Sequence, residues 1–125
     1  MAAQHFAKLI DMVMEDVQEG SSITSIQIEE KHLNINKVAH GAVLYALADS
    51  GMGSALFPTL DDGLICATVE IKMNYFKPVF GGKVTCKTQM INRGKRLANL
   101  DSRLYVDGIL VAQANGNYAI FPRKT

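Results

Sequence analysis

Along the 125-residue chain, apolar side chains recur with two different periods, and the change from one to the other falls near residue 60. The first part is helical in its spacing. Phe6, Leu9, Ile10, Val13 and Val17 lie on one stripe of a 3.6-residue repeat and Gly20 follows as a natural stop, which predicts a surface helix over residues 3–19. "ITSIQIEE" then alternates as a strand does. The loop "KHLNINKVA" leads into a second helix, over about residues 41–56, that is apolar on nearly every side. Such a helix must be covered on most of its circumference. Pro58 and the "DDG" at 61–63 end it.

Beyond residue 63 the period is two. In "LICATVEIKMNYFKP" the alternation predicts Ile65, Ala67, Val69, Ile71, Met73 and Tyr75 on one face. Cys66, Thr68, Glu70, Lys72, Asn74 and Phe76 then take the other. "VFGGKV" turns the chain, "KVTCKTQMIN" runs back and "NRGKR" turns it again. "RLANLDSRLYVD" ends at Asp107-Gly108, a strong two-residue hairpin signal, and "ILVAQANGNYAIF" closes the series. The predicted order is helix, strand, buried helix, then four strands. One antiparallel sheet curling around the central helix satisfies both the all-round hydrophobicity of that helix and the alternation of the strands. The expectation is one α+β domain spanning residues 1–125.

Composition narrows the class of partner. An apolar fraction of 48% and a net charge of +1 argue for an ordinary folded protein, and against disorder or nucleic-acid binding driven by bulk charge. The charge is nevertheless uneven. Residues 1–62 carry three basic and nine acidic side chains, a balance of −6, and residues 63–125 carry ten basic and three acidic, a balance of +7. Facing strands that need solvated lysines account for this blandly. A sharper account is that part of the second half meets a polyanion such as a nucleotide phosphate. Cys66 and Cys86 lack CxxC spacing and are expected as buried free thiols in a reducing compartment, with a disulfide between the two strands as the alternative. The N-terminus lacks a signal-peptide core, and the longest apolar run contains Asp49, Ser50 and several glycines. No membrane partner and a cytoplasmic location are therefore expected.

Asp49 is the residue that departs from its surroundings. A lone carboxylate in an apolar helix costs several kcal/mol, in rough terms, unless something compensates it. Several chemistries can be set aside, because the chain has no GxSxG, HExxH, Walker or GxGxxG pattern. His5, His32 and His40 do not pair with a Cys or another His at ligand spacing, so no metal is expected. What remains is Asn34, His40, Gly41 and Asp49. His40 and Gly41 stand where loop becomes helix, where backbone N–H groups lack partners and the macrodipole is positive. A Gly41 N–H aimed into a cleft would polarise a carbonyl and hold a developing oxyanion. Asp49 lies about two turns further along, too far to meet that oxyanion on the same helix. It is either a core residue with a private partner or part of a site made with another chain.

"HLNINKVAHGAVLYALADSG" resembles the signature of the hotdog-fold acyl-CoA thioesterases of the phenylacetic-acid-degradation (PaaI-like) family. That signature has an Asn, six residues to His-Gly-Gly, and an acid nine residues after the His. Asn34, His40, Gly41 and Asp49 match it in register. The resemblance extends over almost the whole chain, since "ATVEIKMNYFKPVFGGKV" is similar to the family's following strand and Pro-turn. Thr68 falls where the family carries a Ser or Thr near the acyl group. Ala42 departs from the second Gly of the motif, which puts the acyl preference in question more than the activity.

The resemblance implies a hotdog fold, a curved antiparallel sheet wrapped around one long helix, and hydrolysis of acyl-CoA thioesters to free acid and coenzyme A. It implies dimers, often paired into homotetramers, in which Asp49 of one subunit faces the His-Gly helix start of the other. Asp49 would act as nucleophile or general base, Gly41 as oxyanion donor, and His40 would shape the pocket. Asn34 would orient water or carbonyl, and Thr68 would steady Asp49 or that water. No separate cofactor is implied, because CoA is part of the substrate. Arg93, Lys95 and Arg96 of the basic turn are the candidates for its phosphates. Tyr45, Met52 and Phe57 are candidates for the acyl tunnel or plain core. The rival function is a non-catalytic acyl-CoA-binding module or sensor, and a hotdog dehydratase is a second one.

Overall fold

The computed structural model describes residues 5–124. A short helix α1 (His5–Leu9) precedes strands β1 (Met12–Gln18) and β2 (Ser21–Gln27), and the long helix α2 (Gly41–Leu56) follows. Strands β3 (Leu64–Tyr75), β4 (Lys83–Arg93), β5 (Leu97–Val106) and β6 (Ile109–Pro122) complete the chain. The six strands form one antiparallel sheet in the order β1-β2-β4-β5-β6-β3. It curves around α2, and this is the hotdog fold. At the β5–β6 hairpin, Asp107 (φ 50°) and Gly108 (φ 76°) both take left-handed conformations, as a two-residue turn matching the strand twist requires.

The core lies between α2 and the concave face of the sheet. Leu47, Met52 and Leu56 of the helix are fully buried against Ile26, Val84, Leu100 and Leu104 of the strands. Each such side chain stabilises the fold by about 1.5–3 kcal/mol. Gly51 lets the helix approach closely, since a Cβ there would stand 2.6 Å from Thr88 Oγ1. Beneath it the Ser22 hydroxyl donates to the Gly51 carbonyl at 2.6 Å and the Thr24 hydroxyl to that of Leu47 at 3.2 Å. The buried hydroxyls are thereby satisfied. On the opposite side of α2, Ala42 and Tyr45 are exposed.

Two expectations are corrected. The stripe Phe6 to Val17 is not one helix: α1 ends at Leu9, Asp11 turns with φ 57°, and residues 12–18 form β1. Residues 3 and 4 of that expected helix lie outside the described residues. β1 was hidden by a bulge. Glu15 is an extra residue between the pairs Met14–Thr24 and Asp16–Ile23, so the inward set is Met12, Met14 and Val17, a broken alternation that also fits a helix.

The second correction concerns β3. Its pairing with β6 shifts between Thr68 and Glu70, with Val69 as the extra residue. Leu64, Cys66 and Thr68 pair opposite Pro122, Ile120 and Tyr118. Past the bulge Ile71, Met73 and Tyr75 take the inward side, opposite Gly116, Ala114 and Ala112. The single-face reading Ile65 to Tyr75 therefore holds only after Val69. Both cysteines are free thiols, Cys86 buried and Cys66 half-buried. Among the described residues no helix is long and apolar enough to cross a membrane.

Candidate active site

The loop into α2 is held by its own polar groups. Asn34 Oδ1 accepts the N–H groups of Asn36 (2.9 Å) and Val38 (3.4 Å), and the Asn34 N–H donates to the Val38 carbonyl at 2.8 Å. The His40 N–H donates to the His32 carbonyl at 2.8 Å. His32 itself is buried, with Nδ1 accepting from the Glu29 N–H at 2.8 Å and Nε2 against the Ile10 carbonyl at 2.7 Å. It is a pin for the loop. Asn34 thus spends its side-chain oxygen on the loop and keeps its amide Nδ2 for other partners.

His40 caps the helix. Its Nδ1 accepts the Ala42 N–H at 3.0 Å, so in the neutral ring the proton is on Nε2. The Gly41 N–H finds no acceptor among the described residues. Backed by the positive end of a 16-residue helix, it is a donor available to an oxyanion. Gly41 is also where the helix meets β3. The Tyr75 hydroxyl donates to the Gly41 carbonyl at 2.7 Å, and a Cβ on Gly41 would stand 3.1 Å from the Tyr75 ring and its hydroxyl. A groove of about 310 Å³ opens here, walled by Leu44, Tyr75, Phe76, Pro78 and Val79.

Asp49 is half-buried on α2, eight residues on, or about 12 Å along the axis. The Thr68 hydroxyl of β3 donates to its Oδ1 at 2.7 Å. The Tyr118 hydroxyl of β6 contacts the same Oδ1 and also the Asp49 main-chain carbonyl, the latter at 2.8 Å. Tyr118 is buried at 2% exposure, and burial first, then its bond to Asp49, push its pKa far above the ordinary phenol value. The hydroxyl therefore stays protonated and acts as a donor. Thr68 meets Asp49 because of the Val69 bulge, which lets Thr68 and Tyr75, at odd separation on one strand, both face α2. Tyr118 was missed in the sequence reading. The alternation of "GNYAIF" marks it as an inward ring, but nothing local marks what its hydroxyl reaches.

The basic turn divides. Arg93 is half-buried, its Nε donating to Thr59 Oγ1 at 3.2 Å and its terminal nitrogens to the Thr59 and Gly94 carbonyls. It ties the β4–β5 turn to the segment after α2. Lys95 and Arg96 are exposed. Of the three apolar candidates, Met52 is core at 0% exposure, while Tyr45 and Phe57 are exposed. Among the described residues no cluster of His, Cys, Asp or Glu has the arrangement to hold a metal.

Comparison with known proteins agrees with this architecture. Residues 36–112 match the model of the thioesterase superfamily. From Saccharolobus solfataricus, the protein named "Putative esterase SSO1253" is 32% identical over 114 residues, which are 90% of this chain and 75% of that protein. A mutant of the phenylacetic acid degradation protein PaaI from Thermus thermophilus superposes with a TM-score of 0.87 at 25% identity, over 93% of this chain and 98% of that one. In fold alone, a mutant of the thioesterase SAV0944 from Staphylococcus aureus is similar at a TM-score of 0.91 and 22% identity, over 95% and 100% of the two chains. The chain belongs to the thioesterase superfamily, in a PaaI-like form of the hotdog fold. The chemistry of that superfamily is thioester hydrolysis.

Proposed function

We propose that the protein hydrolyses acyl-CoA thioesters to a free acid and coenzyme A, at a site that two copies of the chain build together. The observation that supports this most is Asp49, a half-buried carboxylate whose Oδ1 is held by hydroxyls while Oδ2 takes no hydrogen bond among the described residues. Such a group is expensive as core and useful as a reactant. The roughly 12 Å between it and the Gly41 N–H along one helix argues for a second chain. β3 offers the means, being a 12-residue edge strand with an unpaired backbone edge. Paired edge to edge, two copies would bring Asp49 of one toward Gly41 of the other.

In this reading the Gly41 N–H and the helix dipole polarise the thioester carbonyl. His40 Nε2–H and Asn34 Nδ2 donate beside it, one toward the carbonyl or departing thiolate and the other toward carbonyl or water. Asp49 Oδ2 attacks the carbonyl carbon, forming a mixed anhydride as the C–S bond breaks and thiolate leaves, and water then releases the acid. In the variant route Oδ2 takes the proton of a water that attacks directly. Label in the Asp49 carboxylate after one turnover in ¹⁸O-water marks the anhydride route with water opening the anhydride at Cγ of Asp49, and capture of the acyl-enzyme by hydroxylamine marks it where water would open the acyl carbon instead. Thr68 steadies Asp49, and Lys95 and Arg96 meet the CoA phosphates.

Free-thiol release from a panel of aromatic and aliphatic acyl-CoAs tests the reading, beside Asp49→Asn. That substitution keeps the shape and removes the charge, and is expected to lower turnover at least about 100-fold. Near-normal turnover in folded Asp49→Asn would sink the assignment. Tight CoA-ester binding without thiol release from any substrate would establish the sensor instead.

A further inference from the structure

We infer that Tyr118 is a positioning residue that sets the orientation of the Asp49 carboxylate: with Thr68 it ties down one oxygen, Oδ1, and so aims the other, Oδ2, at substrate. The inference rests on Asp49 being the reacting carboxylate.

Three observations carry it. Two hydroxyls converge on Oδ1, whereas Oδ2 has no hydrogen bond among the described residues. No buried side-chain oxygen there lacks a partner, so Oδ2 must reach the surface rather than lie sealed in the core. The Tyr118 proton is also shared with the main-chain carbonyl of Asp49, so one donor bridges the backbone and the carboxylate of the same residue. That bridge restrains rotation of the side chain about both of its bonds.

The two donors are not equivalent. Thr68 is exposed and sits on the edge strand β3. Tyr118 is buried on β6, flanked by β5 and β3, so its hydroxyl is fixed by the packing of a whole ring. Without it, Asp49 keeps one donor on a strand edge, and its carboxylate plane is free to swing away from the direction in which its free oxygen must attack. Misorientation of this kind costs turnover far more than binding.

The surroundings leave few other groups to titrate. Cys66 on β3 and Cys86 on β4 are held protonated, burial pushing both thiols up. Tyr45 lies on α2 itself, His40 is its N-cap, and Glu70 on β3 turns outward to Asn117. The inward positions of β1, β2, β5 and β6 otherwise carry no titratable side chain among the described residues.

The test is Tyr118→Phe in the full chain, which removes the hydroxyl and keeps the ring. The expected result is a fall in kcat of about 10-fold or more with KM within about threefold, because orientation rather than affinity is lost. An unchanged kcat in Tyr118→Phe, with Asp49→Asn inactive, overturns the role of Tyr118 and leaves the reading of Asp49 standing. Unchanged turnover in both variants removes the reading itself. Should Tyr118→Phe not fold, 4-fluorophenylalanine introduced at position 118 fills the place of the hydroxyl without donating. The same fall in kcat at unchanged KM is expected, and an unchanged kcat overturns the inference.

Discussion

The hydroxyl of Tyr75, at the end of β3, donates to the main-chain carbonyl of Gly41, the first residue of α2, at 2.7 Å. The ring lies so close that a methyl group on Gly41 would stand 3.1 Å from it. In Gly41→Ala the half-exposed ring can yield by a few tenths of an ångström, and alanine favours a helix by up to about 1 kcal/mol. Thermal denaturation is therefore expected to shift little. Turnover is expected to fall about 10-fold or more, as the displaced first turn misaims its N–H. A large loss of stability with full activity per folded molecule would contradict this account.

If each site takes Gly41 from one chain and Asp49 from another, two impaired variants should repair each other. Co-expressed Gly41→Ala and Asp49→Asn chains are expected to recover up to about a quarter of native turnover, from one intact site in each mixed dimer. Sedimentation of the purified protein should show at least a dimer. Complementation that never exceeds the sum of the separate variants would show that each chain works alone.

The basic turn should separate by role. Charge reversal at Lys95 and Arg96 is expected to raise KM for CoA substrates several-fold, an effect that shrinks as salt is added, with little change in melting temperature. Arg93→Ala should do the opposite. Losing its bonds to Thr59 and Gly94 is expected to cost about 1–2 kcal/mol of stability while KM stays put. An unchanged KM in the Lys95/Arg96 variant would refute their part in phosphate binding.

Gly51→Ala should report on the fit of α2 in the sheet. Its added carbon would meet Thr88 Oγ1 at 2.6 Å, and that hydroxyl is itself engaged with Ser102 at 2.7 Å. With no room to retreat, the substitution is expected to cost about 1–3 kcal/mol, read as a lowered urea midpoint at unchanged slope.

How much of this was legible follows from where the signals lie. The bounds of α2, Gly41–Leu56, were readable because a run that is apolar on nearly every side, between a loop and Pro58, has few other solutions. The β4, β5 and β6 strands were readable from alternation and from Asp107-Gly108. β1 was not, because the extra Glu15 turns a period of two into a spacing that also suits a helix. The register of β3 before Val69 was hidden for the same reason. Asp49 stood out as a charge among apolar neighbours, but the Tyr118 hydroxyl that reaches it comes from 69 residues away, and only the folded sheet brings the two together. Arg93 looked like its neighbours in the turn until its bonds to Thr59, just after α2, were seen.

The extra residue at Val69 has one further consequence, for how this segment can change in length. Thr68 and Tyr75 serve the middle and the start of α2 from a single strand, and they share a side only because of that one added unit. Deleting Val69, or inserting a residue anywhere between the two, would turn one of them to the wrong side and release either Asp49 or Gly41 from its grip. Surface loops of a protein commonly drift in length without harm. The stretch from Thr68 to Tyr75 has no such freedom. Its count of residues is itself part of the site, and a frame-preserving loss of one codon here should be as damaging as replacing a reacting side chain.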